Sequence, residues 1–230
     1  MTHVLWARDL AARLLDPLPR RLAHVTAVGR RAGALAPILG PDAELLAAAA
    51  YLHDIGYAPA VADTGFHPLD GARYLREVEK ADDRLCRLVA HHSCAVYEAR
   101  ERDLLATLLA EFTPERADLA EALTFCDMTT GPDGVHLTAE DRLAEIRSRY
   151  GPGHLVTRSI TRATPCILHA VQAVHERLAA AGVRLPPDVP ADETQTITES
   201  AASPAITRPA VLSGSWRNEK NSTPQQSKTS

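Results

Sequence analysis

The segment at residues 47–56 reads AAAAYLHDIG, and it limits what this chain can fold into more than any other stretch. Apolar residues recur in and before it at the spacing of one helical face: Leu45, Leu46, Ala49, Leu52 and Ile55. We expect a buried helix there, packed closely by its neighbours. His53 and Asp54 come at its end, and burying such a pair is costly unless a partner or a metal ion neutralises it. Gly56 is expected to end the helix and to leave the pair facing a cleft.

The rest of the chain shows the same helical pattern. Amphipathic segments, separated by breaks that contain proline or glycine, follow one another from residue 3 to Gly182. No segment alternates apolar and polar residues as a half-buried strand does. We predict an all-α fold, a single helical bundle of about eight to nine helices around one core, over residues 1–185. The last helix is predicted to begin at Thr164 and Pro165, because threonine is a favourable N-cap and proline a favourable first helical residue.

The C-terminal segment has a different composition. From residue 186 to residue 230, proline, serine, threonine, asparagine, glutamine and glutamate dominate, and large apolar residues are few. Such a segment buries too little apolar surface to offset the entropy that it would lose on ordering. Residues 186–230 are therefore predicted to form a disordered tail.

Charge and hydropathy argue against two classes of partner. The net charge of −4 gives no general attraction for nucleic acid polymers or anionic membranes. No run approaches the roughly 18 apolar residues of a membrane-spanning helix, and the N-terminus lacks the pattern of a secretory signal. We expect a cytoplasmic protein that binds neither a membrane nor a nucleic acid polymer. The first and last helices either pack on the core or form a dimer contact, so an oligomer is left open.

The four cysteines support the same location. Cys86, Cys94, Cys126 and Cys166 are scattered along the chain without a C-x-x-C pair. We expect all four to be buried, inert thiols in a reducing compartment.

The chemistry of the chain is concentrated in its histidines and two aspartates. Five of the ten histidines lie between residues 24 and 92, each at or near the end of a predicted helix. Together with the aspartates they form the candidate metal ligands: His24, His53, Asp54, His67, His91, His92 and Asp127. Imidazole and carboxylate together suit Fe, Mn, Ni, Co or Zn. The prediction is one or two divalent transition-metal ions, with His53 and Asp54 as the catalytic pair.

Two ions would need a bridging anion to lie about 3.5–4 Å apart, and Asp54 is the natural candidate. The ligands would then divide into a first group, His24, His53, Asp54 and Asp127, and a second group, His67 with one or both of His91 and His92. Adjacent helical residues point about 100° apart, so His91 and His92 can share one site only near a helix end. His91 is predicted to be a ligand, and His92 is left as a ligand, a support for one, or a substrate contact.

The order His24…His53-Asp54…Asp127 resembles the H…HD…D signature of the HD-domain superfamily of metal-dependent phosphohydrolases. The segments HDIG at residues 53–56 and VAHHS at residues 89–93 strengthen the resemblance, which covers roughly residues 20–130. Binuclear members insert histidines between the HD pair and the last aspartate. The resemblance implies a helical HD domain with a mono- or binuclear metal site that hydrolyses phosphoesters, often of nucleotides, by metal-activated water.

Two departures from the family pattern narrow the range of possible substrates. Relatives that cleave cyclic di-guanylate carry a Gly-Tyr-Pro segment after the paired histidines, and its absence from this chain argues against a cyclic dinucleotide. Tyr57 stands where relatives often have a lysine, so other donors must bind a phosphate. The candidate bidentate donors are Arg20, Arg21, Arg30 and Arg73. We predict a small phosphorylated substrate, which the resemblance makes a nucleotide.

Two other functions are compatible with the same ligands. Some HD-like folds use a mixed-valence di-iron centre to oxidise a small substrate with O₂, and tightly held iron would favour that activity. The third alternative is a non-catalytic module that binds a ligand or a partner. The complete set of ligand positions argues against it, because a module without turnover usually loses a histidine or an aspartate first.

Overall fold

Helices connected by turns make up residues 3–185, the part of the chain that the computed structural model describes, and no strand occurs among them. The bounds of the eleven α-helices in this part are α1 His3–Leu15, α2 Pro19–Ala34, α3 Ala36–Leu39, α4 Ala43–Leu52, α5 His67–Glu77, α6 Asp83–His91, α7 Val96–Glu101, α8 Leu105–Glu111, α9 Ala117–Met128, α10 Ala139–Tyr150 and α11 Leu155–Ala180. The all-α prediction is confirmed. The number exceeds the predicted eight to nine because some helices, such as α3, are only one turn long. The predicted tail at residues 186–230 lies outside the described residues.

Helix α4 lies at the centre of the packing. Every residue from Leu46 to Leu52 is buried, and the helix contacts α1, α2, α6 and α9. Four of these residues are alanines, whose small side chains leave room for a neighbour on each side. The buried central helix predicted from the AAAAYL run is therefore the element on which the site is built.

Gly56 has a different role from the predicted one. Helix α4 already ends at Leu52, and a 3₁₀ turn, Ile55–Tyr57, follows. A Cβ atom on Gly56 would lie 2.0 Å from the backbone oxygen of His67. The glycine is needed because the start of α5 crosses directly over it, and this close approach brings His67 beside Asp54.

The predicted start of the last helix is wrong. Helix α11 begins at Leu155, and Pro165 lies inside it. The ring nitrogen Nδ1 of His154 accepts a hydrogen bond from the backbone N–H of Val156 at 3.2 Å, so His154 is the N-cap. Proline inside a helix removes one backbone hydrogen bond, but buried apolar residues such as Ile167 and Val174 hold α11 against its neighbours.

Two of the cysteines also differ from the prediction. Cys94 and Cys166 form a disulfide bond whose Cα atoms are 6.5 Å apart. The bond joins the 3₁₀ turn His92–Cys94 to helix α11. Cys86 and Cys126 are buried free thiols, as expected. The spacing of the four residues gave no sign of the pair, because residues 72 positions apart meet only through the tertiary fold.

None of the helices within residues 3–185 is by itself long and apolar enough to cross a membrane. By length and composition alone, one pair of helical segments bent by 59°, Pro19–Ala34 with Ala36–Tyr57, meets that criterion together.

Candidate metal centre

Three buried side chains from different helices meet at the inner end of a cleft. His24 comes from α2, His53 follows the last residue of α4, and Asp127 lies near the end of α9. Oδ1 of Asp127 is 3.0 Å from Nε2 of His24 and 3.8 Å from Nε2 of His53. One ligand atom of each residue lies within 4.8 Å of the other two, which is a spacing that a single metal ion can bridge.

One carboxylate oxygen of Asp54 faces His24 and His53, and the other faces a second pair, His67 and His92. Its Oδ2 is 3.5 Å from Nε2 of His53 and 3.9 Å from Nε2 of His24. Its Oδ1 is 3.2 Å from Nε2 of His67 and 3.8 Å from Nε2 of His92. The two Nε2 atoms of His67 and His92 are themselves 3.2 Å apart. Asp54 is therefore placed as a bridge between two histidine pairs.

Backbone carbonyls fix the orientation of three of the rings. In each ring Nδ1 lies 2.7–3.0 Å from a carbonyl oxygen, in the pairs His24–Gly131, His53–Ala50 and His92–Val89. Because a carbonyl can only accept, Nδ1 carries the proton and the lone pair of Nε2 points at the group, as in ligating histidines generally. Nε2 of His53 is buried and has no hydrogen-bond partner among the described residues. A metal ion would satisfy this atom.

The protonation of these residues suits metal ligation. Burial lowers the pKa of His53, His67 and His92, which keeps their rings neutral. Burial is the largest single effect and would raise the pKa of both carboxyls, but Arg21, His53 and His67 together outweigh it at Asp54, and His24 and His53 together outweigh it at Asp127. Both pKa values are held well below the usual range, so both side chains are carboxylates.

The structure separates the two adjacent histidines. His92 joins the buried group, whereas Nε2 of His91 lies 2.7 Å from the backbone oxygen of Phe112, on the other side of α6. His91 is therefore not placed to bind the same ion as His92, in contrast to the prediction that His91 is a ligand. The six remaining predicted ligands form what we call the His/Asp cluster: His24, His53, Asp54, His67, His92 and Asp127.

Arg21 is the one of the four candidate arginines that lines the cleft. Its Nη1 donates to Oδ2 of Asp54 at 2.5 Å, and its guanidinium lies 4.1 Å from the ring centroid of Tyr57. Tyr57 in turn stacks on His67 with ring centroids 4.0 Å apart. The tyrosine that replaces the family's lysine therefore supports one ligand and positions a cation.

Ser93 is a site residue that the sequence did not indicate. Its hydroxyl donates a hydrogen bond to Oδ2 of Asp127. Its backbone has φ 49° and ψ 41°, and Cys94 also has a positive φ of 58°. Left-handed backbone is rare for residues other than glycine, and nothing in the segment HHSC indicates it. Because of this turn, the chain changes direction between His92 and the following helix, α7.

The donor set fits a transition metal. It combines four imidazole nitrogens with two carboxylates, which is the chemistry of Fe, Mn, Ni, Co or Zn sites rather than of calcium sites. The residues that could hold ions are those of the His/Asp cluster, with Asp54 between the two histidine pairs.

Comparisons with known proteins agree with this geometry. Residues 21–127 match the family model of the HD domain, and the match begins and ends at residues of the cleft, Arg21 and Asp127. Ribonuclease Y of Rubrobacter xylanophilus is 33% identical over 86 residues, which are 37% of this chain and 17% of that protein. The chain thus spans about a sixth of the length of this curated relative. No solved structure matches the chain. Residues 21–127 are an HD domain, which supports the resemblance of this chain to the HD-domain superfamily of metal-dependent phosphohydrolases.

Proposed function

We propose that this protein is a metal-dependent phosphohydrolase that hydrolyses a phosphoester of a small phosphorylated compound, a nucleotide, with metal-activated water. The observation that carries the proposal is the placement of Asp54 between two histidine pairs, together with the buried Nε2 of His53, which has no hydrogen-bond partner within residues 3–185. The HD domain supports it, because that family generally consists of metal-dependent phosphohydrolases. The relative named as a ribonuclease adds support for a nucleotide substrate.

The His/Asp cluster would hold one or two divalent ions. When bound, such an ion lowers the pKa of a water molecule and neutralises phosphoryl oxygens. The buried carbonyl partners of His24, His53 and His92 hold these rings in one tautomer. Asp54 supplies negative charge to both histidine pairs. Arg21 uses one N–H on Asp54, and a guanidinium has further donors with which it can orient a phosphoryl group.

The adjacent histidines provide a matched test. We would measure transition-metal content of the purified full chain by elemental analysis, in the wild type, Asp54→Asn, His92→Gln and His91→Gln. We expect one or two ions per chain in the wild type, fewer in the first two variants, and an unchanged content in His91→Gln. Release of phosphate from p-nitrophenyl phosphate and from nucleoside phosphates should follow the metal content across the four proteins.

Three outcomes would contradict the proposal. Wild-type protein that retains no metal after incubation with each of Fe, Mn, Ni, Co and Zn would leave a non-catalytic binding module. A metal-loaded wild type that releases no phosphate from any of these substrates would exclude the hydrolase. Consumption of O₂ by the iron-loaded protein, without phosphate release, would favour the oxygenase.

A cytoplasmic location remains part of the proposal, and the Cys94–Cys166 bond provides its test. Structural disulfides persist mainly in oxidising compartments. Alkylation of free thiols at the moment of cell lysis, followed by mass spectrometry, would measure the fraction of the pair that is reduced. A fully oxidised pair in its native host would contradict the cytoplasmic location.

A further inference from the structure

One wall of the cleft that also contains residues of the His/Asp cluster is built by residues that follow Asp127. Helices α10 and α11 pack against each other and against α9. Their contributions to the lining include Arg142, Arg149 and Ile160. The match to the HD domain ends at residue 127, so the family signature does not account for this wall.

Arg142 is buried in this wall with unused hydrogen-bonding capacity. It is only 4% exposed, and its Nη1 donates to Oε2 of Glu145 at 2.5 Å. Its Nε is buried and has no hydrogen-bond partner among residues 3–185. A buried donor without an acceptor costs stability, and other atoms of the same side chain line the cleft.

Arg149 shares the same carboxylate. Its Nη2 lies 3.0 Å from Oε2 of Glu145, the oxygen that also accepts from Arg142. Arg142 and Arg149 are seven residues apart, which places them on one face of α10, two turns apart. Two guanidinium groups against one carboxylate leave an excess positive charge on this face.

Glu98, an acidic residue of the same cleft, does not neutralise that charge. Glu98 lines the cleft, but its Oε1 accepts a hydrogen bond from Nε of Arg102 at 2.8 Å. The lining also includes the aromatic rings of Tyr97 and Tyr150. The cleft therefore combines two arginines, two aromatic rings and residues of the His/Asp cluster.

We propose that Arg142 and Arg149 form a second anion-binding site, and that the substrate is a small compound with two phosphate groups. One phosphate would be bound by these arginines and the other would be presented to the His/Asp cluster, so the inference rests on the proposed function. Glu145 holds both guanidinium groups when no ligand is bound. A bound phosphate would take over their donors, including the unpaired Nε of Arg142.

Calorimetric titration of the metal-loaded full chain with three nucleotides tests the proposal. AMP carries one phosphate, whereas ADP and adenosine 3′,5′-bisphosphate each carry one more. Chromatography would verify that the nucleotides stay intact during the titration. We expect at least one of the two doubly phosphorylated nucleotides to bind about tenfold more tightly than AMP, as charge-assisted hydrogen bonds to a second phosphate would provide.

Variants of α10 test whether these arginines bind a ligand or only support the fold. Arg149→Gln should lose the preference over AMP, and Arg149→Lys should restore part of it. Arg147→Gln is the matched control, because Arg147 is on the same helix but does not line the cleft. Glu145→Gln should increase the affinity for the doubly phosphorylated nucleotide several-fold, because it removes the group that competes for both arginines.

Equal binding of all three nucleotides by the wild type, or an unchanged preference in Arg149→Gln, would overturn the second site. Weaker binding in Glu145→Gln would contradict the competition between Glu145 and the ligand. A protein that prefers a doubly phosphorylated nucleotide but releases no phosphate from any substrate would refute only the proposed function.

Discussion

The hydroxyl of Ser93 donates a hydrogen bond to Oδ2 of Asp127, so that a left-handed turn holds the last carboxylate of the HD signature. The other oxygen of Asp127 faces His24 at 3.0 Å. Each oxygen of this buried carboxylate thus has its own partner. Groups that orient a ligand in this way typically contribute 10–100-fold to metal affinity.

Replacing Ser93 tests this relationship. Ser93→Ala removes the hydroxyl and should weaken metal binding about tenfold, measured by competition with a chromophoric chelator. Ser93→Gly removes the same hydroxyl but tolerates the positive φ, so it should be about 1 kcal/mol more stable than the alanine variant. An alanine variant that binds metal as tightly as the wild type would contradict the prediction.

Gly56→Ala should displace the start of α5. The added Cβ would lie 2.0 Å from the backbone oxygen of His67, so the backbone must move, and we expect a loss of about 3 kcal/mol in the free energy of unfolding. Gly33→Ala is the control, because a Cβ there has no neighbouring heavy atom within 4 Å and alanine favours a helix. Urea denaturation would measure both, and equal stability of the two variants would refute the predicted clash.

The cysteine pairing predicts a specific count of thiols. Cys86 and Cys126 are buried, and burial raises their pKa values to about 11 and about 12. A thiol reagent should therefore find no reactive group in the native protein, two after denaturation and four after reduction. The bond closes a long loop, with a sequence separation of 72, so reduction should cost about 4 kcal/mol. Four thiols in the denatured, unreduced protein would rule out the bond.

Glu111 should make stability depend on pH. The hydrogen bond from Arg73, followed by that from Arg76, lowers the pKa of Glu111 below its usual 4.5. A lowered carboxyl pKa stabilises the fold above the unfolded-state pKa and loses that effect as the pH falls through the folded-state value. Glu111→Gln should therefore lose about 1 kcal/mol at pH 7 and progressively less below about pH 4.5. Glu77→Gln, at a side chain that is 64% exposed, is the control.

Patterns within a few turns of helix predicted much of the fold. Helix α1, His3–Leu15, coincides with the first of the amphipathic segments, because its apolar face is regular and Asp16-Pro17 interrupts it. The start of α11 was missed because Thr164 and Pro165 form a good local N-terminus, whereas His154 is a rare cap. Helical periodicity cannot say which of two acceptable starts the tertiary packing selects.

The candidate site, too, could be predicted from the sequence only in part. The order of the histidines and aspartates predicted which residues could meet, and six of the seven lie in one cluster. The choice between His91 and His92 depended on where α6 ends, because His91 is its last residue and His92 leaves the helix with extended backbone, φ −58° and ψ 150°. Arg142 and Arg149 could not be connected with the cluster, because their position follows from the packing of α10 on α9 and α11.

The disulfide between Cys94 and Cys166 limits how far this protein can be shortened without disturbing its cleft. It joins the turn beside the His/Asp cluster to a helix that begins 28 residues after the HD match ends at residue 127. A fragment trimmed to that match would lack α10 and α11, would expose the residues of α9 that face them, and would leave the cleft open on one side. The part of the chain that is needed for an intact cleft is therefore longer than the segment by which the family is recognised.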